Sequence, residues 1–513
     1  MSLRRVHALL LACVAVPAAI LAGCGGGGSG GGDDADVGPA AAAPANAAIY
    51  ADATVKPTGS AQSDAKAALS KILDTPDPAA KITDLLDKSV THIKPGQTFT
   101  YEQDVAPWLG QKVGLFATSL QEGQDPTVLL ESTNDAAAMT AERKDSRDLG
   151  PGGSYKGHAY DKQSDGKVFG TAGGFAIYGS LAGFQQAVDA MDGDSLGDSD
   201  DFKDAVGDLP DDRLGTFYTV PKTFIDALGP AQVDASSRAL LEKSAGDSLN
   251  EPVAGALSAS ADKVEFEATG GSNGVETPES SLLGNVPGQS WLAFGIANLG
   301  DSVKRSIDQF KDQIPNFDSA VQQIEATTGS SLDQLTGSLG DAVLYVQGTT
   351  QSTLTGALVV QSKDTDLTGR LLNQLQGLLQ LGARGLKPLS LSGGGTGFQI
   401  NDPSVAPRPV ELAQQGDKLV VGYGAGSAEA SLTPAQTLSD SPTFQQAHGQ
   451  ISSLGADVYL DLQSVFALAE ATGAKSDPDY VQAKPYLDAL KYVVTGSGSS
   501  GDQAEFKAIL GLK

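Results

Sequence analysis

Apolar and polar positions along the chain follow two periods, near two over short runs and near 3.6 over longer ones. The first period falls on Ile49 to Ala53, Lys112 to Ala117, Thr127 to Glu131, Lys167 to Thr171, Phe175 to Tyr178, Leu214 to Val220, Val253 to Ser260 and Val264 to Ala268, which predicts strands. The second falls on Asp64 to Leu73, Ala79 to Ser89, Ala136 to Arg147, Phe184 to Met191 and Ser236 to Ser244, and again on Ser302 to Gln313, Leu367 to Leu381 and Thr443 to Ile451, which predicts helices. Several strands are separated only by hairpin-length turns, so the pattern predicts an α+β fold, mainly antiparallel sheet with packed helices, over a doubly wound parallel sheet.

The pattern is written twice. Pro44 and Pro287 each precede an apolar strand, 243 residues apart. Leu109-Gly110 recurs as Leu339-Gly340, 230 apart, and Val128 to Ser132 recurs as Ala357 to Ser362. Phe202 and Phe444 each stand three residues after a capping serine, Ser199 and Ser441, and Glu265-Phe266 returns as Glu505-Phe506. An ordered series at nearly constant offset predicts two tandem pseudo-repeats. They are residues 44–272 and 287–513, joined by a linker at 273–286 whose surroundings are rich in Gly and Pro.

The start of the chain adds an address. Arg4 and Arg5 precede an apolar stretch from Ala8 to Ile20, too short to cross about 30 Å of hydrocarbon comfortably, and small residues follow. Residues 1–23 therefore read as a signal peptide. Leu21-Ala22-Gly23-Cys24 resembles the bacterial lipobox, which implies lipidation at Cys24 and an extracytoplasmic protein tied to the membrane by its lipid anchor. Residues 24–43, a glycine run, scattered Asp and an Ala/Pro stretch, are too poor in large apolar side chains to build a core and read as a flexible tether. Its expected reach is about 25 Å.

With 62 acidic against 35 basic residues, a formal charge of -27, the chain repels phosphate backbones, so no nucleic-acid partner is expected. Removal of the signal peptide deletes Cys13 and leaves Cys24 alone, so no internal disulfide is available.

The lipobox, the twofold pattern and Asp104-Val105-Ala106-Pro107-Trp108-Leu109-Gly110 leading into a strand together resemble the exported actinobacterial lipoproteins of the uncharacterised family called domain of unknown function 3352. The second copy has Ser338 where the first has Trp108. The resemblance implies compartment and broad fold and brings no catalytic residue.

Candidate chemistry is sparse. His92, His158 and His448 are isolated from one another, so neither metal nor cofactor is expected. Asp192 to Asp201 has spaced carboxylates, yet Leu196 and Lys203 stand where a calcium loop needs oxygen donors, and capping of a helix near Phe202 explains the acids better. Ser63-x-x-Lys66, Ser164-x-x-Lys167 and Ser260-x-x-Lys263 match a serine-nucleophile pattern without its companions. Gly393 to Gly397 lacks a following Gly-Lys-Ser/Thr and reads as a turn, while Trp108 and Trp291 read as core. With no catalytic residue assigned, the sequence favours a non-catalytic protein that binds an unknown protein or an apolar ligand, or an envelope scaffold. The alternative is a hydrolase whose Ser/His/Asp site is assembled in space around His158 or His448. The unmatched segments Asp145 to Tyr160, Asp192 to Asp201, Gly393 to Gly397 and Asn401 to Pro409, or the seam between the copies, are where a binding surface is expected.

Overall fold

The computed structural model describes residues 38–89, 98–121, 124–145, 149–272, 278–311, 314–380, 385–451, 454–500 and 503–513. They divide into two compact units, one reaching Ser272 and taking in Gln503, Ala504, Leu512 and Lys513, the other running from Pro278 to Ser500 and from Glu505 to Gly511.

The first unit contains β1 (Ile49–Thr54), β2 (Leu109–Ala117), β3 (Thr127–Ser132), β4 (Leu149–Tyr155), β5 (His158–Gln163), β6 (Val168–Ala172), β7 (Phe175–Gly179), β8 (Gly215–Thr219), β9 (Val253–Ser260) and β10 (Lys263–Gly271). They pair in the order β4-β5-β6-β7-β3-β2-β1-β8-β9-β10, every pairing antiparallel. One face carries Tyr50, Phe116, Leu129, Ile177, Tyr218 and Ala254, all buried beneath Phe184, Val188 and Phe202 from the helices Leu181–Asp192 and Asp200–Gly207. On β9 lies the helix Gly59–Ile72, with Ala65, Ala68 and Leu69 buried.

The second unit contains β11 (Ser290–Ile296), β12 (Leu339–Gln347), β13 (Thr355–Ser362), β14 (Leu386–Pro388), β15 (Thr396–Ile400), β16 (Val410–Gln415), β17 (Lys418–Tyr423), β18 (Gly455–Asp461), β19 (Leu490–Ser500) and β20 (Gln503–Leu512). Their order is β14-β15-β16-β17-β13-β12-β11-β18-β19-β20, antiparallel from β14 through β19, the order of the first unit with every number raised by ten. Its core gathers Ala293, Tyr345, Val359, Val420, Tyr459 and Val494 beneath Ala428, Leu432, Phe444 and Ala447. Each unit also closes with one isolated bridge, Pro44 to Ser195 and Pro287 to Thr437.

Four expectations change. Gly38–Ala42, assigned by composition to the tether, is a short 3-10 helix with Pro39, Ala40 and Ala42 buried, because β2 offers Gly114 and Pro39 packs where a side chain there would stand. The linker likewise ends inside the second core, where Leu282, Leu283 and Val286 are buried. The polar stretch from Asp145 to Tyr160, expected as an unmatched surface loop, contributes to the hairpin of β4 and β5, whose Gly-rich first strand and mostly polar second strand have no apolar alternation to betray them. Finally, the 230-residue offset that matches Leu109-Gly110 to Leu339-Gly340 would carry Val113 to Val343, but Val113 pairs with Leu130 while Ala342 pairs with Val360, so the counterpart of Val113 is Ala342. The reason is a β2 bulge one residue longer than that of β12. Gly110 sits in it because a Cβ there would meet Glu131 Cβ at 2.5 Å.

Candidate functional site

Each unit has a cleft at the same place, beside the helix that follows the closing bridge. In the first unit it is a space of about 500 Å³ whose wall includes Gly197, Phe202, Lys203, Val206 and Gly207. In the second it is about 480 Å³ and uses Ser439, Phe444, Gln445, His448 and Gly449, the same five positions 242 residues later.

The helices are placed by local chemistry. Ser199 and Ser441 cap them, each Oγ accepting a bond at 3.4 Å from the backbone N–H of Phe202 or Phe444. Asp200 and Asp201 add carboxylates at the positive end of the first helix, which accounts for the acidic run without calcium. Ser195 caps the preceding 3-10 turn and donates to Asp198 at 2.6 Å.

The floors differ. In the first unit, strand pairing sets Asp52 beside Thr216 and Thr54 beside Lys112. The Tyr50 hydroxyl donates to Asp52 Oδ2 at 2.8 Å. Burial pushes the Asp52 carboxyl above the usual carboxylate range, and Lys112, the Tyr50 bond, Arg213 and Thr216 pull it back only in part. Arg213 spends Nε on Thr216 Oγ1 at 3.1 Å and Nη1 on the Pro210 carbonyl at 2.8 Å. In the second unit, His448 Nε2 lies 2.9 and 3.1 Å from the two carboxylate oxygens of Glu279, which also accepts from Ala456 N at 3.2 Å.

Cys24 and His92 lie outside the described residues. His448 meets a carboxylate, but among the described residues no hydroxyl is bonded to its ring, and His158 makes no side-chain hydrogen bond. Among the described residues, the geometry a serine hydrolase needs is therefore not assembled at either. Two of the three Ser-x-x-Lys serines serve locally: Ser63 donates to Ser60 O and Ser260 to Asp262. Gly393 to Gly397 turns into β15, with Gly394 and Gly395 at φ of 78° and 112°. Trp108 is buried and donates from Nε1 to Asp104 O at 2.7 Å. Trp291, expected in the core, is half-buried, because β11 slips register against β12 between Ser290 and Leu292 and turns it outward to Gly348 O. The two clefts share five matched positions in their walls, while the rest of each lining has no counterpart in the other. Sequence reasoning missed Asp52, Lys112, Arg213 and Thr216, since only strand pairing brings them together; the Phe202/Phe444 match was the available signal.

A third feature is apolar. Across the second sheet, Val458, Phe294, Leu344, Leu358 and Val421 stand side by side on the face opposite the core. Phe294, Leu344 and Val421 are 39%, 41% and 41% exposed. The same row in the first unit is Phe217, Ala51, Leu115, Val128 and Tyr178, of which the last four are buried. The helix Leu299–Phe310 packs on β12 and on the helix Leu332–Gly337, and of its residues only Gly300 is buried. Val303, Ile307 and Phe310 share one of its faces, and none of them is buried.

No curated protein matches the chain. Two solved structures, crystal forms I and IV of TP0453, align at 9% and 12% identity, covering 78% and 76% of this chain and 97% and 96% of theirs. Their TM-scores of 0.18 and 0.17 carry no argument about fold or function. A family model described as "Protein of unknown function (DUF3352)" matches residues 176–511. The chain, well over half of it covered by that model, belongs to the DUF3352 family of proteins of unknown function.

Proposed function

We propose that this protein is an extracytoplasmic lipoprotein, anchored to the membrane through Cys24, that binds an apolar ligand without catalysing its conversion. The reading rests on one observation, the uncovered row of Phe294, Leu344 and Val421. Three large apolar side chains in one row of the sheet, each about two-fifths exposed, cost free energy in water, at roughly 25 cal/mol per Å² of apolar surface left uncovered. The row carries no charge, and the helix beside it turns an unburied apolar face. An extended hydrocarbon, such as a lipid acyl chain, fits that surface, and a protein tethered beside a bilayer meets such chains constantly. The two units are further read as copies of one ancestral unit duplicated in tandem, supported by the common strand order, the paired bridges and the paired clefts. In this reading the first copy kept its row covered and the second opened it.

Titration with a fluorescent polyene fatty acid tests the ligand. Wild type should bind it saturably, and Leu344→Asp should weaken binding at least tenfold while circular dichroism stays unchanged, since Leu344 is outside the core. Equal binding by Leu344→Asp, or none by wild type, overturns the reading.

A further inference from the structure

The cleft of the first unit gathers lysine and arginine side chains that its counterpart lacks. Lys112, Lys203 and Arg213 line it against Asp52 and Asp211, in a chain where acids outnumber bases 62 to 35. Several other cations of this unit rest on carboxylates, as Arg143 on Asp161, Lys144 on Asp104 and Lys156 on Asp189, while Lys56 rests on the Ala106 and Leu109 carbonyls. Arg213 and Lys203 rest on no carboxylate among the described residues. Arg213 bonds Thr216 Oγ1 and the Pro210 carbonyl, leaving Nη2 without an acceptor among the described residues, and among the same residues Lys203 Nζ bonds only the Asp198 carbonyl, at 3.1 Å.

A guanidinium held rigidly by two neutral acceptors keeps its charge and its remaining donors for something else. Asp52, the acid at the floor, makes no hydrogen bond or ion pair with the guanidinium; it accepts from the Tyr50 hydroxyl instead. A space of about 500 Å³ suits a metabolite-sized ligand. The second unit provides a contrast: Gln445 stands where Lys203 does, and His448, in the place of Val206, is tied to Glu279.

We infer that the cleft of the first unit binds a small molecule through an oxyanion, a carboxylate or a phosphate, held by Arg213 and Lys203. The open Nη2 of the guanidinium donates to such a group, and the lysine adds a point charge from the helix side. The site is separate from the apolar face of the second unit and stands or falls independently of it.

Calorimetric titration of the full-length chain with inorganic phosphate and with succinate tests the inference. Saturable binding of either supports it, and the tighter probe identifies the source of the oxyanion. Arg213→Gln and Lys203→Gln should each weaken that probe about tenfold. Lys304→Gln, which removes a second-unit lysine paired with Asp333, should change nothing. Because Lys203 is exposed, its variant carries the test even if Arg213→Gln fails to fold. No saturable binding of either probe, unchanged affinity in Lys203→Gln, or an equal loss in Lys304→Gln overturns it.

Discussion

The ring of Phe444 meets that of Tyr459 edge-on at 5.1 Å, and 242 residues earlier Phe202 meets Tyr218 in the same manner at 5.1 Å. Each phenylalanine opens a serine-capped helix, and each tyrosine stands on the strand next to the first strand of its unit. The pair nails the helix that walls the cleft to the sheet that floors it. Phe202→Ala and Phe444→Ala should therefore each cost about 3 kcal/mol, while Ser199→Ala and Ser441→Ala should cost about 1 kcal/mol. Urea unfolding followed by tryptophan fluorescence measures both, and a phenylalanine loss no larger than the serine loss would show the ring contact to be dispensable.

Asp52 makes stability depend on pH. Its folded pKa lies above that of the unfolded chain, so the folded state holds the proton more tightly. That contribution is complete below the unfolded value, near 4, and is lost as pH rises through the folded value. Asp52→Asn should flatten the fall in stability above pH 4, read from urea midpoints at a series of pH values. A slope unchanged by the substitution would assign the dependence to other groups.

Glu411 is 2% exposed, and its carboxylate accepts from Gly426 N at 2.8 Å, Ala428 N at 2.9 Å and Ser427 Oγ at 3.3 Å. It caps the helix Ser427–Leu432 from a neighbouring strand. Glu411→Ala strands buried donors and should cost about 3 kcal/mol. Glu411→Gln, which restores one acceptor, should recover part of that loss in the same unfolding assay.

Lipidation at Cys24 is tested by detergent-phase partitioning. Two or more acyl chains hold a soluble body persistently, at about 0.8 kcal/mol per buried methylene. Cys24→Ala should move the protein to the aqueous phase and abolish incorporation of labelled fatty acid. Retention in the detergent phase would require another anchor.

What the sequence determined by itself was local or periodic. The strands Ile49–Thr54, Thr127–Ser132 and Phe175–Gly179 and the helices Pro78–Ser89 and Pro442–Gln450 follow from apolar spacing, a serine and a proline within a few residues. Ser180 likewise caps the helix Leu181–Asp192 from the adjacent position, accepting from Gly183 N at 2.9 Å. The corresponding helix of the second unit has Gly426 at that position, with no side chain to cap it, and Glu411 arrives from fifteen residues away. Tertiary structure alone decided such cases. It buried Pro39 against Gly114, paired Asp52 with Thr216 across a strand, and left Phe294 open where Ala51 is covered. The physical reason is that a periodic pattern fixes which face of an element turns inward. What that face meets depends on strand register and on where a helix comes to rest, and neither is written in the residues of the element itself.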